Sequence, residues 1–210
     1  MFYGYSLIEF FNLGGVFMWP LLVFSIIGVA FIAERAWQFS HVDLKPCDNV
    51  EKMFALLKAK DAAGARQALN DAPGKYVSGV LSVGLDMMNQ DIARMEKSMA
   101  ANTTIKVNTL EKGLNTLVVL SNLAPLTGFL GTVSGMIGAF KSIAATDEVS
   151  AQLVASGIYE ALITTVAGLV IAIIVVSAHN IFTHKIDNFI SDSERLSNEL
   201  VETLVEQKLK

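Results

Sequence analysis

Three long uncharged stretches constrain the fold of this chain more than any other feature of its sequence. The longest covers the 28 residues 113–140, and the others cover 10–33 and 161–183. A helix needs about 20 apolar residues to cross the roughly 30 Å hydrocarbon core of a bilayer. Since 52% of the residues are hydrophobic and 17% are charged, the sequence predicts an all-α integral membrane protein with three transmembrane helices.

The distribution of Lys and Arg predicts how these helices are oriented. The loop 40–112 carries ten of the 16 basic residues, the tail after residue 183 carries four, and the first twelve residues carry none. Because cytoplasmic segments close to a membrane are rich in Lys and Arg, the loop and the tail are predicted to be cytoplasmic and the amino terminus extracytoplasmic. The lack of an amino-terminal basic region also argues against a cleavable signal peptide.

These observations divide the chain into seven segments. They are an extracytoplasmic or interfacial amino-terminal segment (1–12), transmembrane helix one (13–39), a cytoplasmic helical domain (40–112), transmembrane helix two (113–141), an extracytoplasmic loop (142–157), transmembrane helix three (158–183) and a cytoplasmic carboxy-terminal helix (184–210). The composition of 91–112 is compatible with a helix that continues directly into transmembrane helix two.

The tail has the pattern of an amphipathic helix with a narrow apolar stripe. Two packing arrangements fit this stripe. It could pack on the cytoplasmic helices of its own chain, or it could bundle with copies from other subunits. The stripe consists of Ile186, Phe189, Leu196, Leu200 and Leu204.

Small residues follow one face of the second predicted span and recur in the third. Gly128, Gly131, Gly135 and Gly138 are spaced by three, four and three residues, and Gly168 lies in the third span. Strips of small residues let membrane helices approach closely. We therefore predict that these five glycines serve helix packing.

Four polar residues in the same two spans are candidates for an ion pathway: Thr132, Glu160, Thr164 and Thr165. An ionisable group near the membrane interior is costly and so indicates function, although Glu160 could also be an interfacial residue satisfied by water or by a lysine. Hydroxyl oxygens suit a hard cation such as Na⁺ and equally support a water chain for protons. Thr164 and Thr165 are therefore candidates for transient Na⁺ coordination, whereas Thr132 could simply bond back to its own helix.

Several other functions are not indicated by the sequence. It has no basic, aromatic-interleaved patch for nucleic acid and no phosphate-binding loop, HExxH or GxSxG motif. We expect neither enzymatic activity nor a cofactor. A single three-helix subunit cannot enclose a pathway and carries no carboxylate at mid-membrane, so the ion-pathway hypothesis requires oligomerisation and a partner chain that supplies an acid.

Two long motifs resemble those of the MotA/TolQ/ExbB family. Residues 124–140, APLTGFLGTVSGMIGAF, resemble its APxxGLxGTVxGMxxAF segment, and residues 156–180, SGIYEALITTVAGLVIAIIVVSAHN, resemble its GIAEALxATAxGLxxAIPAxxxYN segment. Residues 19–39 resemble its first helix, which ends in Glu-Arg. The length of the chain favours the ExbB/TolQ branch over the longer flagellar branch.

This resemblance implies a cyclic homopentamer in a bacterial inner membrane, with the amino terminus outside and the carboxy terminus inside. The pentamer would surround a dimer of ExbD/TolR-like single-span subunits that carry a membrane aspartate. It would act as the stator of a rotary motor that couples H⁺ or Na⁺ flow to work on a periplasmic or outer-membrane partner, for which a TonB/TolA-like effector is a candidate. Carried over by position, the pore threonines are Thr132 and Thr165, and the acid is Glu160.

The sequence departs from the family pattern at two positions. Ile174 stands where a proline is usual, and Thr164 stands where proton-driven relatives commonly have alanine. The Thr-Thr pair resembles that of sodium-driven flagellar stators, so both ions stay open. Two other classes of function remain as alternatives: a self-contained membrane transporter, and a purely structural membrane scaffold whose small residues serve packing alone.

Overall fold

The computed structural model describes residues 7–72, 76–145 and 151–209. Parts of four predicted segments, residues 1–6, 73–75, 146–150 and 210, lie outside the described residues. The described chain forms α-helices and contains no β-strand, which confirms the all-α prediction. The helices are α1 (Leu7–Leu13), α2 (Met18–His41), α3 (Asp48–Lys58), α4 (Ala62–Asn70), α5 (Val77–Asp86), α6 (Ile92–Glu111), α7 (Leu114–Ala144) and α8 (Ala151–Leu209).

Three of these helices are long and apolar enough to cross a membrane: α2, α7 and the Val154–Glu206 part of α8. The first span begins at Met18 and not at residue 13, because the chain turns between α1 and α2. In this turn Gly15 has a φ of +67°, a left-handed conformation that interrupts a right-handed helix and that glycine adopts without steric cost.

A second glycine separates α6 from α7. Lys112 leaves the helical region with φ −51° and ψ 127°, and Gly113 follows with a φ of +78°. The expectation of one helix running from 91–112 into the second span is therefore wrong. Composition alone hides such a break, because one residue with positive φ suffices to end a helix.

Helix α8 runs without interruption for 59 residues. It includes both the third predicted span and the predicted carboxy-terminal helix. The last proline of the chain is Pro125, so α8 contains no residue that lacks a backbone N–H or clashes with the preceding turn. The isoleucine at position 174, where the family pattern has proline, is part of this unbroken helix.

The chain divides into two compact units, and the first consists of Met1–Arg35 and Gly113–Asn180. Its core brings α2, α7 and α8 together at Met18, Leu21, Ala124 and Ile163. Pro125 lies inside α7, early enough that the helix continues for five further turns on its carboxyl side. This unit holds every residue that the sequence assigns to the ion pathway.

The second unit consists of Ala36–Lys112 and Ile181–Lys210. The apolar stripe of the tail is buried in it at all five positions. The ring of Phe189 meets Tyr76 edge-on at 5.8 Å, and Leu200 packs against Gly84 of α5. Of the two arrangements open from the sequence, packing of the stripe on helices of its own chain is thus confirmed.

Candidate functional site

Helices α7 and α8 approach each other closely at Gly128 and Gly131. A Cβ placed on Gly128 would lie 2.7 Å from the carbonyl oxygen of Thr164 and 3.1 Å from Cα of Thr165. A Cβ on Gly131 would lie 2.6 Å from Cβ of Thr164. Real side chains do not approach at such distances, so the two helices can touch here only because these positions have no side chain.

Further glycines continue this contact in both directions. A Cβ on Gly168 would lie 2.5 Å from the carbonyl oxygen of Ala124, and one on Gly135 would lie 3.0 Å from that of Gly157. Gly138 differs, because a Cβ there would meet no heavy atom within 4 Å among the described residues. Four of the five glycines that the sequence assigns to packing therefore lie in the α7–α8 contact, and Gly138 lies beside it.

The contact brings two threonine hydroxyls to one carbonyl oxygen. Oγ1 of Thr164 and Oγ1 of Thr165 each lie 3.2 Å from the carbonyl oxygen of Gly128. Thr164 also lies 2.8 Å from the carbonyl oxygen of Ala161. Because a hydroxyl has a single proton, Thr164 can donate to only one of these carbonyls at a time. Three oxygen atoms, from Gly128, Thr164 and Thr165, are thus clustered between the helices.

The four candidate pathway residues differ in their exposure. Thr164 is only 1% exposed and lies inside the helix contact. Thr165 and Thr132 are half-buried. The hydroxyl of Thr132 donates to the carbonyl oxygen of Phe129 in its own helix at 2.6 Å, as membrane threonines often do. Of the three threonines, Thr132 and Thr165 thus retain surface that another molecule can contact.

Glu160, the fourth candidate, is half-buried beside a polar cavity. The cavity has a volume of about 530 Å³ and lies between α7, α8 and the end of α1. Among the described residues, no basic side chain forms an ion pair with this carboxylate. The cavity is lined with hydroxyl-bearing side chains, small residues and one amide, including Ser134, Ser142, Ser156, Tyr159, Gly138 and Asn12.

The candidate pathway residues of α8 lie at one end of its apolar segment. Thr165 follows Glu160 by five residues, which is about 7.5 Å along the helix axis. Residues 166–176 then contain only apolar side chains or glycine. Within the part of the chain that the structure describes, no cluster of His, Cys, Asp or Glu could hold a metal ion. The site therefore offers a carboxylate, hydroxyls and a carbonyl, which can exchange protons or weakly coordinate a monovalent cation.

Comparison with known proteins shows the family of the chain. Residues 73–195 match the sequence profile of the MotA/TolQ/ExbB proton channel family. The chain belongs to this family. The match includes α7 and the part of α8 that carries Glu160 and Thr165.

Individual relatives place the chain in the ExbB/TolQ branch. A biopolymer transport protein ExbB homolog of Methanothermobacter thermautotrophicus is 28% identical over 92% of this chain and 68% of its own length. The biopolymer transport protein exbB1 of Vibrio cholerae is 28% identical over 88% of this chain and 82% of its own. The Tol-Pal system protein TolQ of Haemophilus influenzae is 28% identical over 76% of this chain and 75% of its own.

Family membership and the three apolar helices together identify a multi-pass membrane protein. They confirm the resemblance that the two sequence motifs indicated. The family is described as one of proton channels.

Two residues of the site were not predicted from the sequence. Gly157 packs against Ala139, whose Cβ would lie 2.6 Å from a Cβ at position 157. Gly15, in the turn before α2, contacts Glu160. Gly157 could have been found by extending the small-residue spacing of the third span towards the amino terminus. Gly15 is distant in sequence from Glu160, and only the tertiary structure brings the two residues together.

Proposed function

We propose that this chain is the pore-forming stator subunit of an ion-motive-force-driven rotary motor. In this proposal five copies surround a dimer of ExbD/TolR-like single-span subunits, each with a membrane aspartate, in a bacterial inner membrane. H⁺ or Na⁺ flow would drive work on a periplasmic or outer-membrane partner, for which a TonB/TolA-like effector is a candidate. The relatives' names, biopolymer transport protein and Tol-Pal system protein, support this kind of work.

One observation carries the proposal: a carboxylate, two hydroxyls and a backbone carbonyl lie within about one and a half turns of α8, beside a polar cavity at one end of its apolar segment. The carboxylate of Glu160 lines the cavity. The Thr165 hydroxyl and the Gly128 carbonyl, 3.2 Å apart, follow about one and a half helical turns further on. A structural protein has no need of a half-buried carboxylate at this position that forms no ion pair among the described residues.

The position of these polar groups at one end of the apolar segment explains why the proposal includes a partner chain. Beyond Thr165, residues 166–176 carry no side-chain oxygen, a gap of roughly 16 Å along the helix. The uncharged stretches 10–33, 113–140 and 161–183 contain no carboxylate either. An unsolvated ion in hydrocarbon is strongly unfavourable. An aspartate from a single-span partner would supply the missing group that takes up and releases the ion.

The identity of the ion depends on Thr164 and Thr165 in this proposal. The three clustered oxygens of Gly128, Thr164 and Thr165 offer part of a Na⁺ coordination shell. A chain of water molecules along the same oxygens would equally carry protons. Thr164, which is buried, would contribute its oxygen from inside the helix contact.

Reconstitution tests this function directly. The chain would be purified with its single-span partner, inserted into proteoliposomes, and assayed for H⁺ and Na⁺ flux with ion-sensitive dyes. We expect flux from the complex, little flux from the chain alone, and loss of flux in Glu160→Gln with the assembly intact. Wild-type flux in Glu160→Gln would refute the role of this residue. Strong flux from the chain alone would favour a self-contained transporter.

A structural scaffold is a second candidate, and one observation favours it. The hydroxyls of Thr132 and Thr164 both have a carbonyl acceptor in their own helix, so they need no ion to satisfy them. A scaffold would form a stable oligomer without a single-span partner and would show no dependence on either ion gradient. The reconstitution described above distinguishes the two candidates, because it measures both properties.

A further inference from the structure

The turn between α1 and α2 touches the carboxylate of Glu160. Gly15, in this turn, has a φ of +67°. A Cβ placed on Gly15 would overlap Oε1 of Glu160 and would lie 2.9 Å from its Cδ. The carboxylate therefore lies directly against the Gly15 backbone, in space that a side chain at position 15 would fill.

The same turn is attached to α8 at a second point. A Cβ placed on Gly14 would lie 3.0 Å from Cγ2 of Ile163, and Met18 packs with Ile163 in the core of this unit. Because Ile163 follows Glu160 by three residues, the two side chains lie on one side of α8. The turn thus packs against both of them.

Local contacts hold the turn in place independently of Glu160. The Gly14 N–H donates to the carbonyl oxygen of Phe11 at 3.3 Å, and the Met18 N–H donates to that of Gly15 at 3.2 Å. The rings of Phe11 and Trp19, one on each side of the turn, meet edge-on at 5.2 Å. The position of the Gly15 backbone is therefore set by packing, and the more flexible glutamate side chain adapts to it.

We propose that Gly15 is a positioning residue for Glu160. The Gly15 backbone occupies part of the space around the carboxylate and so restricts the Glu160 side chain to a position at the wall of the polar cavity. A group that is restricted to one geometry by its surroundings acts without first losing conformational freedom. The inference rests on the proposed function, because it explains how the acidic group of the ion pathway is held in place.

The test uses a substitution that keeps the turn but fills the space. Asparagine adopts left-handed backbone conformations several-fold more readily than most residues, so Gly15→Asn adds a Cβ with little strain in the turn. Gly14→Ala is the matched control. It crowds the side chains of Met18, whose Sδ would lie 2.7 Å from the new Cβ, and of Ile163, whose Cγ2 would lie 3.0 Å from it, but not the carboxylate.

Two measurements are made on the complex of the full chain with its single-span partner. The first is a double-mutant cycle of melting temperatures with Gly15→Asn and Glu160→Ala. We expect Gly15→Asn to lower the melting temperature of the wild type and to lower it much less once Glu160→Ala has emptied the space, where only the cost of the left-handed backbone remains. A Gly15→Asn chain that assembles only in the Glu160→Ala background counts as the same coupling. Additive effects would overturn the proposal.

The second measurement is ion flux per assembled complex as a function of external pH. A purely structural change would alter the amount of complex but not the shape of this profile. We expect the midpoint of the profile to shift in Gly15→Asn and to stay at the wild-type value in Gly14→Ala. An unshifted profile in Gly15→Asn would overturn the positioning role alone. Wild-type flux in Glu160→Gln would overturn the proposed function, and the positioning role with it, even if the melting temperatures were coupled.

Discussion

The close contact of α7 and α8 makes a sharp prediction about two glycines of the same helix. Replacing Gly128 with alanine places a Cβ 2.7 Å from the Thr164 carbonyl oxygen and 3.1 Å from the Thr165 Cα. Both are backbone atoms, so no side-chain rotation can relieve the overlap. Replacing Gly138 with alanine places a Cβ where no heavy atom from another part of the described chain lies within 4 Å.

The magnitude follows from the difference between the two variants. Alanine has a higher helix propensity than glycine by about 1 kcal/mol, and this gain is common to both substitutions. Overpacking typically costs about 1–3 kcal/mol, and it applies only to Gly128→Ala. We therefore expect Gly128→Ala to be about 1–3 kcal/mol less stable than Gly138→Ala.

The assay is reversible unfolding of the purified protein in mixed micelles, followed by the loss of helical circular dichroism. The comparison is between the two variants, so the choice of detergent affects both equally. Equal stability of Gly128→Ala and Gly138→Ala would refute the inference that α7 and α8 pack closely within one subunit.

Two further predictions concern the second unit. Leu200→Ala should lower the free energy of unfolding by about 2–5 kcal/mol, because Leu200 is fully buried. The control Glu202→Ala, at an exposed position of the same helix, should change the free energy of unfolding by less than about 0.5 kcal/mol. Denaturant unfolding measures both effects. Burial lowers the pKa of Lys106, which lies over the ring of Tyr76 at 5.0 Å. Just below the ordinary lysine pKa the unfolded chain therefore binds more protons than the folded chain, so the free energy of unfolding should rise with pH in that alkaline range. Lys106→Gln should reduce the slope of the free energy of unfolding against pH, measured by denaturant unfolding across the same range.

The three membrane helices could be predicted because a lack of charge is a property of the sequence alone. The glycine spacing likewise predicted that α7 would pack closely on a neighbour. What the spacing could not give is the partner of each glycine. Gly138 continues the strip but packs against none of the residues that the structure describes, whereas Gly157, outside the predicted set, packs against Ala139. Where a strip ends depends on the angle between two helices, which the sequence of one helix does not contain.

The candidate pathway residues illustrate a similar limit. Adjacent residues of a helix point about 100° apart, so Thr164 and Thr165 are buried to different extents although both hydroxyls reach the Gly128 carbonyl. Thr164 is buried in the helix contact and Thr165 is only half-buried, a distinction that requires the position of α7. Gly113, which lies between α6 and α7, and Gly15, which lies against Glu160, adopt positive φ angles that composition does not reveal.

The central claim is that the hydroxyl of Thr165 belongs to the ion pathway, and ion flux in Thr165→Val tests it most directly. Valine keeps the shape of threonine and removes only the hydroxyl. Flux through the reconstituted complex would be measured in a sodium gradient with the proton gradient collapsed, and then in the reverse condition. Thr104→Val, at an exposed site on α6, serves as the control. We predict that Thr165→Val assembles normally but loses most of the flux in the gradient that drives the wild type. Wild-type flux in Thr165→Val under that gradient would contradict the account.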